Sequence, residues 1–468
     1  MNFKKTKIIV TLGPASEKKE IIKKLFENGA DIFRLNLSHG DYNYHSNLIK
    51  KVRDIDKFIP ILFDLQGPKL RIGKFKNKKI LLKSGDNFIL TTKKVLGDKN
   101  YVSISYESLP KYLQKGDTIL LDDGRIKLRV LSTGEDYIET KVVEGGELSD
   151  NKGINVPKES LDIPSLTEKD IEDIKFGIKE KVDFIALSFV KNADDILFLK
   201  DFLKKHGYYI PVIAKIEKRD AVKNIDKIID VSDGVMVARG DLGIEVNLEE
   251  VSILQKKILN KTLFSEKFSI TATQILDSMV EKPYPTRAEV SDITNAIFDG
   301  TDALMLSQET AIGKYPVDAV KFINRVAKKV ENELPYEAWL LNMELYIKND
   351  PLLSICYSAV LLSLKVRAKA IIVTTETGKT AINISRFRPS APVFALTPNE
   401  NAVKQMKVYW GIIPILVKRF TSESDIINTI EYEARKIKFL KSGDYYISVS
   451  GVIPGVPGGT NMIKLNKV

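Results

Sequence analysis

A (β/α)8 barrel, interrupted by a small antiparallel β domain and followed by an α/β sheet domain, is the architecture that this 468-residue sequence predicts. Three observations predict it. Eight short runs rich in β-branched residues alternate with amphipathic segments, as in successive βα units. Between the third and fourth runs lies a stretch of different texture, alternating apolar and polar residues at period two. After about residue 335 the strand–helix alternation resumes for roughly 130 residues, an ordinary size for a further domain. The length itself calls for more than one domain.

In chain order, the strand-like runs are KIIVTL (7–12), DIFRLNL (31–37), PILFDL (60–65), DFIALSFV (183–190), YIPVIAKI (209–216), GVMVAR (234–239), FSITAT (268–273) and DALMLS (302–307). Most are followed within a few residues by a helical pattern; residues 17–28, for example, close on Gly29 at a C-terminal cap position. Eight such units match a barrel assigned to 1–68 and 156–334. The insertion, 69–155, contains KKILLKSGDNFIL, DTILLDDGRIKLRVL and YIETKVVEGGEL with Ser-Gly-Asp and Asp-Asp-Gly turns between strands. Inserted after the third strand, it sits at the barrel mouth as a lid. Residues 335–468 begin with the helical LSICYSAVLLSLKVRA and continue through AIIVTTETGKTA, PVFALTP, GIIPILV and YYISVSG.

Composition narrows the class. Hydrophobic residues make up 44% and charged residues 28%, as in soluble globular proteins. The net charge of +11 is mostly lysine interleaved with acids, without an aromatic RNA-binding signature, zinc spacing or arginine-rich arm. It reads as a solvated surface plus a site for anions, and no nucleic-acid partner is expected. Cys356, the single cysteine, lies in an apolar helical run and reads as a buried hydrophobe in a reducing compartment. The opening apolar run is six residues and ends at Gly13-Pro14, and no segment reaches the roughly 20 apolar residues of a membrane span. A soluble, cytoplasmic protein is expected.

In such barrels the active site lies at the C-terminal strand ends. Those ends carry Thr11–Pro14, Arg34/Asn36/Ser38, Asp64, Lys191, Lys215/Glu217, Arg239/Asp241, Thr273-Gln274 and Ser307–Glu309. Cationic side chains suit phosphate and carboxylate, and carboxylates suit a hard, oxygen-liking metal. Lys215 and Glu217, two apart on a strand, point into one pocket. Glu217 and Asp241 come from adjacent strand ends and suffice to chelate one magnesium, which takes one or two carboxylates plus substrate oxygens. A purely structural Lys215–Glu217 ion pair is the competing reading. Arg34, Asn36 and Ser38 share one face, with Leu35 and Leu37 on the other. His39, beside them, is given no catalytic role.

The motifs TLGPAS (11–16), FRLNLSHG (33–40), DLQGPKLRIG (64–73), KGINVP (152–157), IAKIE (213–217), ARGDLG (238–243), ATQILDSM (272–279), PTRAEVSDITNAIFDGTDALMLSQETAIGKYP (285–316) and GVPGGTN (455–461) occur in one order along the chain. In that order they resemble the pyruvate kinases over essentially the whole length. The resemblance implies phosphoryl transfer from phosphoenolpyruvate to ADP, giving pyruvate and ATP. It implies that Arg34 grips the phosphoryl group and Lys215 stabilises its charge. It further implies that Glu217 and Asp241 hold Mg2+ (or Mn2+), that Gly240 offers its N–H to the substrate carboxylate, and that Thr273 contacts substrate near the carbon that is protonated. The nucleotide side would comprise Thr11, Pro14, Tyr44, Arg71 and Lys152; Tyr44 also reads as helix packing. The same resemblance implies a homotetramer.

Two departures stand out. Potassium-dependent relatives carry threonine after the aspartate at 64 and glutamate where Lys69 stands; this chain reads Asp64-Leu-Gln-Gly-Pro-Lys69, like potassium-independent relatives. Lys69 is therefore expected to replace K+, with Asn36, Ser38 and Asp64 as remnants of the cation site. Gln308 stands where the family has glycine, and nothing in the sequence accounts for it. In the last domain, Thr375, Thr377, Gly378, Lys379 and Thr380 lie in a loop that resembles a sugar-phosphate effector site; an ordinary capped helix start is the equal alternative. The competing functions are a metal-dependent pyruvate-enolate C–C lyase, which has no need of a nucleotide lid, and a non-catalytic sugar-phosphate sensor, which has no need of Lys215, Glu217, Asp241 and Thr273.

Overall fold

The computed structural model describes residues 3–156, 164–347, 349–453 and 459–468. Each of the eight predicted runs contributes a barrel strand: β1 (Lys7–Thr11), β2 (Ile32–Asn36), β3 (Ile61–Asp64), β4 (Phe184–Leu187), β5 (Val212–Ile216), β6 (Gly234–Ala238), β7 (Phe268–Ala272) and β8 (Ala303–Leu306). All neighbours pair in parallel and β8 returns to β1, closing the barrel. The strands read as continuous apolar runs because both faces are covered. Along β1, Ile8 and Val10 face the helix layer while Ile9 lies inside with Ile32, Leu62, Phe184 and Met305.

At the floor, an aspartate stands one residue before each even-numbered strand. Asp31, Asp183, Asp233 and Asp302 accept the backbone N–H of Ile8, Ile61, Val212 and Ser269 at 2.8, 2.8, 2.8 and 2.9 Å. Each also donates its own N–H to the carbonyl of that same residue. Each carboxylate meets a cation as well: Lys4, Arg53, Lys200 and Arg388 respectively. The result is a four-fold repeat that ties odd strands to even ones. The sequence reading found no repeat beyond the βα alternation, yet the signal is there in ADI, VDF, SDG and TDA.

The inserted domain follows the period-two reading. Ile126–Thr133 buries Ile126, Leu128 and Val130 in a core of its own, and pairs antiparallel with Tyr137–Glu144. The Asp122-Asp123-Gly124 turn takes three consecutive positive φ values, 52°, 55° and 85°, which Asp and Gly tolerate best. One pair departs from an all-antiparallel sheet: Asn87–Thr91 and Tyr101–Ser103 run parallel, because residues 92–100 loop back instead of making a hairpin. The two connections to the barrel lie side by side, Arg71 opposite Gly153.

The C-terminal domain is a five-stranded sheet built from β9 (Ala370–Thr374), β10 (Val393–Thr397), β11 (Ile412–Leu416), β12 (Tyr445–Gly451) and β13 (Thr460–Lys467), in the order β11-β10-β9-β12-β13. Helix Pro351–Lys365 packs on one face. The antiparallel edge strand β13 has no counterpart among the apolar runs of the sequence: none of its residues is buried, half are exposed and two are lysines, a composition that protects an edge. Val408 from this domain enters the barrel's inner core, and Tyr409 meets Phe268 edge-on at 5.3 Å. The domain thus closes the barrel floor, leaving the other end to the lid.

Candidate active site

Alternation along β5 decides the centre of the site. Ala214 and Ile216 enter the outer core, so Lys215 and Glu217 turn to the rim. The Lys215 ammonium lies 2.8 Å from Glu217, 3.0 Å from Asp64 and 2.7 Å from the Ser188 hydroxyl. Asp64, ending β3, also accepts Arg34 Nε at 2.7 Å, and Arg34 Nη1 donates to Thr11 Oγ1 at 2.8 Å. One line of charge thereby crosses four strand ends, with Arg34 and Lys215 sharing Asp64. Burial pulls the Lys215 pKa down, but Asp64 and Glu217 outweigh it and hold the ammonium firmly protonated. Burial likewise opposes ionisation of Asp64, and Lys215 and Arg34 overcome it, keeping the carboxyl below the usual aspartate range.

Glu217 behaves differently. Burial and the neighbouring Asp241 carboxylate push its pKa up against the pull of Lys215. Two carboxylates crowd at the ends of β5 and β6, a like-charge pairing that a divalent cation relieves. Among the described residues no group of three or more His, Cys, Asp or Glu side chains converges as a metal set. Two hard oxygen ligands with substrate and water completing the shell is the pattern magnesium accepts, so Glu217 and Asp241 fit it. The second Glu217 oxygen accepts the N–H of Phe189 at 2.8 Å. Phe189 holds a φ of 56°, unfavourable for a bulky residue.

The fourth apolar run extends to residue 190 and would place Lys191 at the rim. The strand stops at Leu187, because Phe189 turns left-handed and residue 191 begins the cap of the next helix, its N–H on Asp195 at 2.7 Å. The polar side chain at that strand end is Ser188, which was missed. It accepts from Lys215 and donates to the Leu65 carbonyl at 2.7 Å.

On the opposite side, Thr273 and Gln274 follow β7 with φ of 66° and 53°. Arg239 explains how this turn persists: its guanidinium donates to the carbonyls of Thr273 (2.7 Å) and Gln274 (3.2 Å) while pairing with Asp292 at 2.5 Å. Glu309 braces the same loop, accepting the N–H groups of Leu276 (3.0 Å) and Ser307 (2.7 Å). Arg239 and Glu309, read as rim ligands, are buried braces. Gln308 opens the short helix beside them, and nothing in the structure explains its side chain. The Gly240 N–H, expected to meet a substrate carboxylate, donates to Thr273 Oγ1 at 2.8 Å.

The residues assigned to the nucleotide separate into two groups. Arg71 and Lys152 stand on adjoining segments at the lid hinge, and Lys152 is held by Asp122 at 2.7 Å. Pro14 is exposed in the chain's first βα turn. Thr11, in contrast, is buried with its hydroxyl on the Leu306 carbonyl (2.8 Å) and Arg34, where it orients the arginine. Tyr44 packs on the helix-layer core. Asn36 accepts the Ser38 N–H at 3.2 Å, which draws those two remnants together. Asp64, the third, is committed to Arg34 and Lys215; Lys69 makes no ion pair with it. Burial and the charges of Arg71, Lys69 and Arg34 lower the pKa of His39, so three cations face this corner.

In the loop of the last domain, Gly378 takes φ 92° and its N–H is capped by Thr375 at 3.0 Å, while Thr380 bonds Thr460. Only Thr377 and Lys379 of the five assigned residues are exposed. Pro157 and residues 455–458 of the quoted motifs lie outside the described residues.

Comparison with known proteins agrees over the whole chain. Residues 3–320 match the family model for the pyruvate kinase barrel domain, and 353–466 that for the pyruvate kinase alpha/beta domain. The chain is 43% identical over 470 residues to a pyruvate kinase of Thermotoga maritima and 41% over 474 residues to one of Clostridium perfringens, covering all of each. It is 43% identical to pyruvate kinase 2 of Synechocystis, covering 79% of that protein and 99% of this chain.

Proposed function

The chain belongs to the pyruvate kinase family and is a phosphotransferase; from that premise we propose that it transfers the phosphoryl group of phosphoenolpyruvate to ADP at the rim of the barrel. The observation that carries the proposal is the Lys215 ammonium, held protonated by Asp64, Glu217 and Ser188 and joined through Asp64 to Arg34. Phosphoryl transfer depends on positioning and charge neutralisation more than on covalent help.

In this reading Arg34 and Lys215 flank the transferring group. A β-phosphate oxygen of ADP attacks phosphorus, the bond to the enol oxygen breaks, and the enolate takes a proton at its methylene carbon to become pyruvate. Glu217 and Asp241 would hold magnesium or manganese, which would supply Lewis-acid chemistry when bound. Lys215 keeps its proton throughout and offers charge to the phosphoryl oxygens. Thr273, oriented by the Arg239 clamp, lines the substrate side. Arg71 and Lys152 at the hinge bring positive charge to the ADP phosphates when the lid closes and excludes water.

The proposal extends to turnover without potassium, with Lys69 supplying charge at the corner it shares with Arg71, Arg34 and His39. By family resemblance it also extends to a homotetramer and to a sugar phosphate at Thr377 and Lys379. No described helix is long and apolar enough to cross a membrane. The test is pyruvate formation from phosphoenolpyruvate with ADP and Mg2+ added or withheld. Folded protein that makes no pyruvate with both present sinks the proposal; loss of turnover when K+ is removed at constant ionic strength sinks the role of Lys69. Pyruvate release that ignored ADP would mean phosphoryl transfer to water instead of to ADP.

A further inference from the structure

A cavity of about 350 Å³ lies where the C-terminal domain meets the barrel, between helix Leu248–Phe264, helix Tyr336–Glu344 and the end of helix Lys379–Arg386. Its volume and its place between domains are those of small-molecule sites. Four aromatic side chains line it: Phe264, Phe298, Trp339 and Phe387. So do two arginines, Arg386 and Arg388, whose exposures are only 8% and 2%.

Both guanidiniums are short of partners. Arg386 holds the Phe264 carbonyl and Glu266 (3.1 Å), a carboxylate that is itself 38% exposed and so a weakened counter-charge. Arg388 holds the Gly300 carbonyl and Asp302. The Asp302 charge is already divided among the Trp410 N–H and the N–H and hydroxyl of Ser269. The Nε of each arginine is buried without a hydrogen-bond partner among the described residues. Burial accordingly lowers the Arg386 pKa despite Glu266. At the rim, Lys256 and Asp299 neutralise one another and contribute no net charge.

We propose that this cavity is a second binding site, distinct from the catalytic rim, for a small molecule that joins a flat apolar ring to one anionic group. The ring would lie among the aromatic side chains, and the anion would meet the two arginines in the fork geometry that suits carboxylate or phosphate. Neither arginine serves the phosphoryl-transfer site, and the cavity lies beyond the floor end of the barrel, away from Lys215 and Arg34.

Calorimetric titration of the full chain with phenylphosphate and with phenylacetate tests this, with benzyl alcohol as the uncharged control. A Kd on the order of 1 mM or tighter is expected for at least one acid, as befits a probe of about ten heavy atoms. Which acid binds more tightly tells phosphate from carboxylate ligands. Asn342→Trp, at an exposed position on the cavity lining, should fill the space and weaken binding at least tenfold while leaving turnover of phosphoenolpyruvate unchanged. Arg386→Gln should weaken it similarly; because that change also removes a buried ion pair, Asn342→Trp keeps the test independent of folding. No binding of either acid, equal binding of benzyl alcohol, or full binding to Asn342→Trp overturns the proposal.

Discussion

The two ends of the barrel use the same residue types to opposite effect. At the floor, Asp31, Asp183, Asp233 and Asp302 each hold a backbone N–H and meet a cation, so each of these four carboxylates is paired. At the rim, Glu217 sits against Asp241, two cations share Asp64, and Phe189, Thr273 and Gln274 hold left-handed backbone. Strained residues of this kind each cost about 1–3 kcal/mol and persist only where neighbours hold them. Arg239 and Glu309 are those neighbours here. Paired carboxylates thus underlie one end, and like charges and strained backbone gather at the other, where the proposed function places substrate and metal.

That contrast can be broken from either side. Lys215→Met should lower kcat by about 10³-fold or more, equivalent to about 4 kcal/mol of transition-state stabilisation, with a much smaller change in KM. Steady-state kinetics on protein of native circular dichroism checks it; a proportionate rise in KM would make Lys215 a ground-state ligand. At the floor, Asp302→Ala strips the buried Arg388 of its carboxylate and should cost about 3–5 kcal/mol in urea unfolding. Turnover per folded molecule should stay within about twofold. A large loss of kcat with unchanged stability would show that the two ends are not separable in this way.

A smaller effect sharpens the picture of the rim. Ser188→Ala removes the hydroxyl that positions the Lys215 ammonium and should reduce kcat about tenfold, or about 1.4 kcal/mol, at nearly constant stability. Ser188→Thr, which keeps a hydroxyl, should restore part of it; no difference between the two variants would deny Ser188 its positioning role.

A pH dependence, which touches stability and not turnover, is expected at the floor. Burial lowers the Lys7 pKa to about 8, the Asp31 and Glu331 charges notwithstanding, and its ammonium donates to the Ile412 carbonyl at 2.7 Å. A depressed ammonium pKa means the unfolded chain holds more protons between about 8 and its ordinary value near 10.5. Stability therefore rises with pH across that window, and the cost of the buried charge is full below it. Lys7→Met should lose this rise. The unfolding free energy from urea should rise between pH 7 and pH 10 more for the unaltered chain than for the variant, by roughly 2 kcal/mol; parallel changes would exclude Lys7 as the source.

The barrel was legible because its strands are apolar on both faces, a signal that needs no knowledge of partners. Lys215, Glu217, Arg34 and Asp64 were legible for the same reason: a polar residue at the end of such a run has nowhere to point but the rim. Ser188 was not, because the strand's true end at Leu187 depends on the left-handed turn at Phe189. What the sequence did not show is that Thr11 and Arg239 are buried and hydrogen-bonded to Arg34 and to the Thr273 carbonyl, contacts between different strand ends. The edge strand β13 escaped because its residues protect an edge instead of filling a core.

The sequence alone thus determined the eight βα units, the inserted lid, the sheet domain, and the cations and carboxylates that meet at the strand ends. Periodicity and spacing along the chain suffice for these, since each depends on a residue and its near neighbours. Only the tertiary structure decided which of those polar groups are buried against one another, that four aspartates form a ring beneath the barrel, and that Arg386 and Arg388 border a cavity. Such facts rest on contacts between residues far apart in sequence, as when Arg388 reaches Asp302, and a local pattern carries no record of them.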